Sequence, residues 1–372
     1  MIINHLRVQD FRNYHTLDCA FASGLNLIVG ENAQGKTNVL EAIYAVCTGR
    51  SFRTRDDRDL IRFHQDASRI HLDFSEGSQA CTLDMTLLRN SAKEIRLNRI
   101  PIRTYGELIG KAHVIVFSPD DLKLVKEGPQ ERRRFTDREL SAVSPAYYNA
   151  LVRYHRVLKQ RNKLLKSLQF SQSQRDTLEH WDQQLCQIGA DIIHRRFAFT
   201  RQINQISQTL HTGISEGKER LSVQYLSCMD TLEGLGCDTI AKGMRERLVS
   251  QINTDIQRGT TSVGPHRDDF LLKVNDLSLR DYGSQGQHRS AALALKLSGI
   301  EMIRQETGRL PVVLLDDVMS ELDPGRQNAL LASLSEAQII MTSTDTANLD
   351  PAMVRKANRY SVSEGTIRHD EE

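Results

Sequence analysis

Gly30-Glu31-Asn32-Ala33-Gln34-Gly35-Lys36-Thr37 follows the apolar run Leu25, Leu27, Ile28, Val29 and opens a helical pattern at Val39, Leu40, Ala42, Ile43 and Val46. The eight residues satisfy G-x-x-x-x-G-K-[ST], and their flanks supply the strand and the helix start without which that pattern means little. The two glycines let the backbone turn tightly, so that successive N–H groups face an anion while the helix directs its positive end at it. Lys36 is placed to reach the β- and γ-phosphates of a nucleotide, and the Thr37 hydroxyl to enter a Mg²⁺ shell. The stretch predicts nucleotide binding by Gly30, Glu31, Asn32, Ala33, Gln34, Gly35, Lys36, Thr37 and the following Asn38.

A second half of the site lies far along the chain. Pro311 precedes Val312-Val313-Leu314-Leu315-Asp316-Asp317, a buried strand ending in two carboxylates. Asp316 is expected to hold the metal, and Asp317 to accept a proton from an attacking water, which makes Asp317 and Lys36 the catalytic pair. Asp323-Pro324 reads as an N-cap and first helical residue. Ile339-Ile340-Met341 makes another buried strand, ending at Thr342-Ser343-Thr344-Asp345. Before these, Ser284-Gln285-Gly286-Gln287 opens a strong helix and forms a second anion site. Two phosphate-facing loops for one nucleotide invite a dimer.

The chain has 372 residues, enough for two or three domains, and a net charge of only +2. Its six cysteines form no C-x-x-C pair and no zinc spacing, so neither a structural metal nor a disulfide framework is expected. The N-terminus lacks a signal-like charged and apolar sequence, and no apolar run approaches the ~18 residues of a membrane span. A soluble, cytoplasmic protein with no membrane partner is expected.

Leu6, Val8 and Phe11, then Leu17, Cys19 and Phe21, alternate with polar residues and predict two strands ahead of the phosphate loop. Between them Phe11-Arg12-Asn13-Tyr14 brings Arg12 forward as a nucleotide contact. The stretch 49–59 carries Arg50, Arg53, Arg55 and Arg58, and alternation then predicts an antiparallel sheet over about 70 to 105. From 132 to 166 ten Lys or Arg face two acids. Apolar positions there step by three and four, with only Arg161 breaking the seam, and a similar seam follows a Ser/Gln-rich break at 169–176. An antiparallel helical hairpin results, its first helix about 24 residues and about 35 Å long. Charge concentrated on one arm favours contact with a phosphate backbone over a merely solvated face, through Arg132, Arg133, Arg134, Arg153, Arg156, Lys159 and Lys163.

Phosphate loop, Ser-Gln-Gly-Gln, Leu-Leu-Asp-Asp and Ser320-Glu321-Leu322-Asp323, in this order and with a helical arm between, resemble the ABC-type ATPase heads of the SMC class. Phe11-Arg12-Asn13-Tyr14, Phe117-Ser118-Pro119-Asp120-Asp121-Leu122, Glu131-Arg132-Arg133-Arg134-Phe135 and Gly264-Pro265-His266-Arg267-Asp268-Asp269 are similar to a family of bacterial recombination mediators within that class. The resemblance implies an α/β fold, a P-loop ABC-type ATPase head with an added antiparallel β subdomain and a mainly α-helical arm lobe. The expected division is 1–124 for the first part of the head, 125–258 for the arm and 259–372 for the rest of the head. It further implies ATP and Mg²⁺ as ligands and a homodimer closing around ATP, with Ser284, Gln285, Gly286 and Gln287 of one subunit completing the other's site. The implied partners are double-stranded, gapped or junction DNA, RecO and RecR, and indirectly RecA; weak, DNA-stimulated hydrolysis would reset the clamp. No histidine stands at 342–344 and no glutamine follows Val114 to Phe117, which leaves Thr344 and Asp120 as candidates for those roles. The competing readings are an SMC-like chromosome-organising head, which the short arm disfavours, and an ATPase-coupled nuclease.

Overall fold

The computed structural model describes residues 1–170, 176–347 and 349–370. They form two compact units: Met1–Asp121 with Lys296–Glu372, and Leu122–Leu295.

The first unit contains β1 (Ile2–Phe11), β2 (Tyr14–Ala20), β3 (Leu25–Val29), α1 (Lys36–Thr48), β4 (Ala67–Glu76), β5 (Gln79–Leu88), β6 (Glu94–Leu97), β7 (Ile100–Ile102) and β8 (Val114–Phe117). One sheet, ordered β2-β1-β4-β5-β6-β7, is antiparallel throughout. The antiparallel sheet expected from about 70 is therefore present, and the two N-terminal strands belong to it. α1 packs against strands of this sheet and of the central sheet described below. Being covered on both sides explains its nearly continuous apolar run: Val39, Leu40, Ala42, Ile43 and Val46 are all buried.

The second unit holds α2 (Pro129–Val143), α3 (Pro145–Leu168), α4 (Thr177–Ile214), β9 (Leu221–Leu226), α5 (Cys237–Ser250), α6 (Ile252–Arg258), β10 (Asp269–Val274) and β11 (Leu277–Ser278). α3 has the expected 24 residues. Arg161 meets Asp182 nearer the tip and Tyr147 meets Arg196 nearer the base, so α3 and α4 run antiparallel. Residues 171–175 of the Ser/Gln-rich break lie outside the described residues. The resumption of the head expected at 259 is corrected: β10 pairs antiparallel with β9, and residues up to Leu295 cluster with the arm. The reason is local, because residues 261–269 are bonded to the arm helices, as described below.

α7 (Gln285–Thr307) leads back to β12 (Val312–Asp316), α8 (Pro324–Ser333), β13 (Ile339–Ser343), β14 (Asn358–Ser363) and β15 (Thr366–His369) of the first unit. Its central sheet has the order β15-β14-β3-β13-β12-β8, parallel except for β15. Val29 is in register with Ser343, and Asp316 with Thr342. The carboxyl ends of β3, β13 and β12 therefore meet at one edge, where ligands of open α/β sheets bind. No helix among the described residues is long and apolar enough to cross a membrane.

Candidate functional site

The phosphate loop leaves β3 at Gly30, where a Cβ would lie 2.4 Å from the backbone oxygen of Val362 in β14. Glycine is needed there for a close approach, since of the loop's two glycines only Gly35 has the left-handed φ, +113°, expected of a tight turn. A Cβ on Gly35 would also strike Asn13 and Tyr14, at 2.6 and 2.9 Å. The Asn13 amide donates to Gln34 O at 3.0 Å, and the Tyr14 hydroxyl donates to Gly35 O at 3.2 Å. From the other side the Glu364 N–H donates to Gln34 Oε1 at 2.7 Å. The β1–β2 turn and the C-terminal hairpin thus hold the loop in shape.

Lys36 Nζ donates to the carbonyls of Gly30 at 2.5 Å and Glu31 at 2.8 Å. Burial lowers its pKa, while the charges of Asp317 and Asp316 pull it back up. The Thr37 hydroxyl donates to Asp316 Oδ1 at 2.7 Å, and Thr342 places a second hydroxyl on the same oxygen at 3.1 Å. Burial pushes the Asp316 carboxyl above its ordinary pKa, and these two hydrogen bonds oppose the shift. Asp317 sits at φ +52°, rare for a residue with a Cβ, and its N–H donates to Thr342 Oγ1 at 3.0 Å. Its Oδ1 is buried and has no hydrogen-bond partner among the described residues. Burial raises the pKa of this carboxyl and Lys36 lowers it. Hard oxygen donors on Thr37 and Asp316, side by side, suit Mg²⁺, which typically takes one or two protein ligands and completes its shell with water and phosphate. The unpartnered Asp317 oxygen suits an acceptor of a proton or of a water's hydrogen bond.

Two features here escaped sequence reading. Thr342 reaches the Asp316 carboxylate, because β13 is the strand between β3 and β12. Glu41, fully buried in α1, accepts both Nε and Nη2 of Arg12 at 2.8 and 2.7 Å, and also Ser51 and Arg53. An acid inside an apolar helical run was the available signal for it. Arg12, expected as a nucleotide contact, has its Nε and Nη2 committed to Glu41.

Ser284 caps α7, with its hydroxyl accepting from Gln287 N at 3.2 Å while Gln287 Oε1 accepts from Ser284 N at 2.9 Å. This reciprocal capping box fixes the helix entrance, and Ser284 and Gln285 stand exposed. Asp323 caps α8 through Arg326 N at 3.0 Å, as expected.

Residues 2–366 match the family model described as the RecF/RecN/SMC N terminal domain. The DNA replication and repair protein RecF of Alkaliphilus oremlandii is 40% identical over 367 residues, which are 99% of this chain and 100% of that protein. The chain belongs to the RecF family. The solved structure of the recombination mediator protein RecF with ATP, of the RecFOR pathway, superposes with a TM-score of 0.92 at 33% identity, covering 100% of this chain and 98% of that one. An Smc head bound to the C-winged helix domain of ScpA shares the fold, with a TM-score of 0.55 at 16% identity. The RecF family's P-loop ABC-type ATPase head, with its β subdomain and helical arm, is the fold of this chain.

In this RecF-family arm the basic residues divide sharply. Arg132 is 5% exposed, bidentate to Asp269 at 2.8 and 2.9 Å and bonded to Glu127 O. Arg133 donates to Asp268 O at 2.6 Å, and Arg134 pairs with Glu131. The expectation that Arg132 contacts DNA is corrected, because Asp269 and Glu127 O hold its buried guanidinium inside the arm, whereas Arg133 is half-buried. Arg134 is taken by its own helix neighbour. Arg153, Arg156, Lys159 and Lys163 are exposed, and their spacing puts them on one face of α3.

Arg161, the apparent break in the seam, is fully buried. It donates to Asp182 at 2.6 Å, Asp255 at 2.9 Å and Thr261 Oγ1 at 2.8 Å. Residues 264–269 form the matching knot at the other end of the hairpin. Pro265 O accepts from the buried Arg196, His266 bonds the Tyr154 hydroxyl and Thr261 O, and Asp268 accepts from Tyr225. Gly264, at φ +126°, must be glycine because a Cβ would lie 2.4 Å from the Tyr154 hydroxyl.

Proposed function

We propose that the chain is an ATP-dependent DNA-binding protein of recombinational repair, acting in the cytoplasm as a dimer clamped by ATP. In one subunit the loop N–H groups and Lys36 hold the phosphates, and Thr37 and Asp316 hold Mg²⁺. When bound, Mg²⁺ supplies charge neutralisation at the β- and γ-phosphates. Thr342 and Thr37 orient the Asp316 carboxylate, and Asp317 takes the proton of the attacking water. Ser284, Gln285, Gly286 and Gln287 of the second subunit close the site over the γ-phosphate, donating from the helix entrance. The exposed face of α3 carries the DNA contacts, and RecO, RecR and, through them, RecA are the expected partners.

The observation that carries this reading is the Asp317 Oδ1, buried without a partner among the described residues, beside the Thr37 and Asp316 pair. A buried unpaired carboxylate oxygen is costly, and a nucleotide site gives it work. The membership of the RecF family and the likeness to a RecF structure with ATP support the same reading. The test is the solution mass of Asp317→Asn with and without Mg-ATP, by light scattering. The 42.2 kDa monomer should double in mass only with ATP, and turnover should fall by about 100-fold or more. A monomer under both conditions, with DNA also present, would remove the shared site.

A further inference from the structure

The basic run at 50–58 is not used by the nucleotide site as a whole. Arg50 lies over the Tyr105 ring at 4.4 Å, and Arg53 donates to Asn38 Oδ1 at 2.8 Å. Arg55 and Arg58 instead line a groove of about 760 Å³, together with Arg89 and Lys93 from the segment between β5 and β6. Within it Lys93 is tied to Asp57 at 2.7 Å and Arg58 to Asp56. Arg55 has no ion pair among the described residues, and Arg89 donates Nε only to Gln65 O at 3.0 Å. The groove therefore keeps a cationic excess.

The bond from Arg89 also staples a turn to the groove. Gln65 N donates to Arg62 O at 3.1 Å, closing a turn with Phe63 and His64 at its tip. His64 is left-handed at φ +64°, a conformation unfavourable for a residue with a Cβ, and Phe63 is 83% exposed. A lone exposed apolar residue needs no explanation. A strained turn that exposes an aromatic ring and is bonded to an arginine of a cationic groove has the composition of a stacking platform for single strands.

We propose that this groove and turn bind single-stranded nucleic acid, with Arg55 and Arg89 on phosphates and Phe63 stacked on an unpaired base. The inference rests on the reading of the chain as a DNA-binding protein and adds a surface apart from the α3 face. A single strand offers base faces without unstacking a duplex, and the groove's charged lining suits phosphates better than an apolar protein surface. A site for unpaired bases alongside a duplex-binding face would let one protein recognise the edge of a gap.

The test measures binding of fluorescent oligothymidylate and of plain duplex to the full-length chain with ATP. Phe63→Ala should weaken oligothymidylate binding about five-fold or more and leave duplex and ATP binding unchanged, and Phe63→Trp should restore it. Arg55→Ala should make the salt dependence of oligothymidylate binding shallower by roughly 0.7. Unchanged single-strand affinity in Phe63→Ala, or no rescue by tryptophan, overturns the proposal. An Arg153→Glu/Arg156→Glu variant in the same assay separates the two readings. If it weakens duplex binding while the Phe63 variants change nothing, the clamp survives and the single-strand site falls. Failure of the unaltered chain to bind either DNA removes both.

Discussion

The phosphate loop at 30–37 and the segment at 264–269 are both short, contain glycine, and are rich in polar or charged residues, yet they put these groups to opposite uses. The loop keeps Lys36 on carbonyl oxygens and stands beside a carboxylate oxygen that no described residue satisfies. The segment ties most of its groups to the arm: His266 on Tyr154 and Thr261, the buried Asp268 on Tyr225, Asp269 on Arg132. Glycine follows the same division, since Gly35 shapes a surface for a ligand and Gly264 makes room for a buried hydroxyl. A charged motif is thus a functional surface only where the fold leaves its charges uncommitted.

The sharpest way to break this contrast is at Arg161. Asp255→Asn leaves a buried guanidinium short of its counter-charge and should cost about 3–5 kcal/mol, read by denaturant unfolding, with ATP affinity unchanged. Loss of ATP binding in a folded Asp255→Asn protein would mean that the knot is not merely internal. Lys36→Ala should do the reverse, weakening ATP binding by about 30-fold or more in a titration with a fluorescent nucleotide, while unfolding shifts little.

The third test uses pH. Burial lowers the His266 pKa to about 4 and raises that of Asp268 to about 6. Neutral His266 adds stability that is present above its unfolded value and is lost as pH falls towards 4. Protonated Asp268 adds stability that is present below its unfolded value and is lost as pH rises through 6. Between pH 4 and 6 the two slopes oppose each other, so the unaltered protein should be nearly flat in this contribution. His266→Gln should expose a decline of roughly 3 kcal/mol with rising pH, and Asp268→Asn a decline of similar size with falling pH. Parallel profiles in the two variants would show that neither group titrates as its surroundings require.

The smallest effect is expected at the exposed face of α3. Arg153→Ala/Arg156→Ala should change stability by no more than about 0.5 kcal/mol and make the salt dependence of duplex binding shallower by about 0.9 for each phosphate that the variant no longer neutralises. Arg132→Ala, in contrast, should lower stability by about 2 kcal/mol because its Asp269 partner is only partly screened. If both variants act alike on DNA, the division of the arm into inward and outward arginines fails.

The fold was legible where its signal is contiguous. The phosphate loop, the Asp316-Asp317 strand end, the alternating strands and the α3 seam each declare themselves within a dozen residues, because backbone geometry and apolar periodicity are local properties. The division of the arginines was not legible. Arg161 and Lys163 are two residues apart in the same helix, yet one is fully buried and the other is exposed. What distinguishes them is Asp182 and Asp255, the second of which lies 94 positions away.

By itself, then, the sequence determined that there is a phosphate loop, that its partner carboxylates end a buried strand, and that a basic helical hairpin is inserted between them. The tertiary structure decided that Thr342 joins Thr37 on Asp316, that Glu41 holds Arg12, that Val362 makes Gly30 obligatory, and that Arg132, Arg161 and Arg196 belong to the interior. The physical reason is desolvation: a buried charge is tolerated only beside a counter-charge or acceptor. Here those partners come from positions as far apart as Arg132 and Asp269, so only the folded chain brings them together.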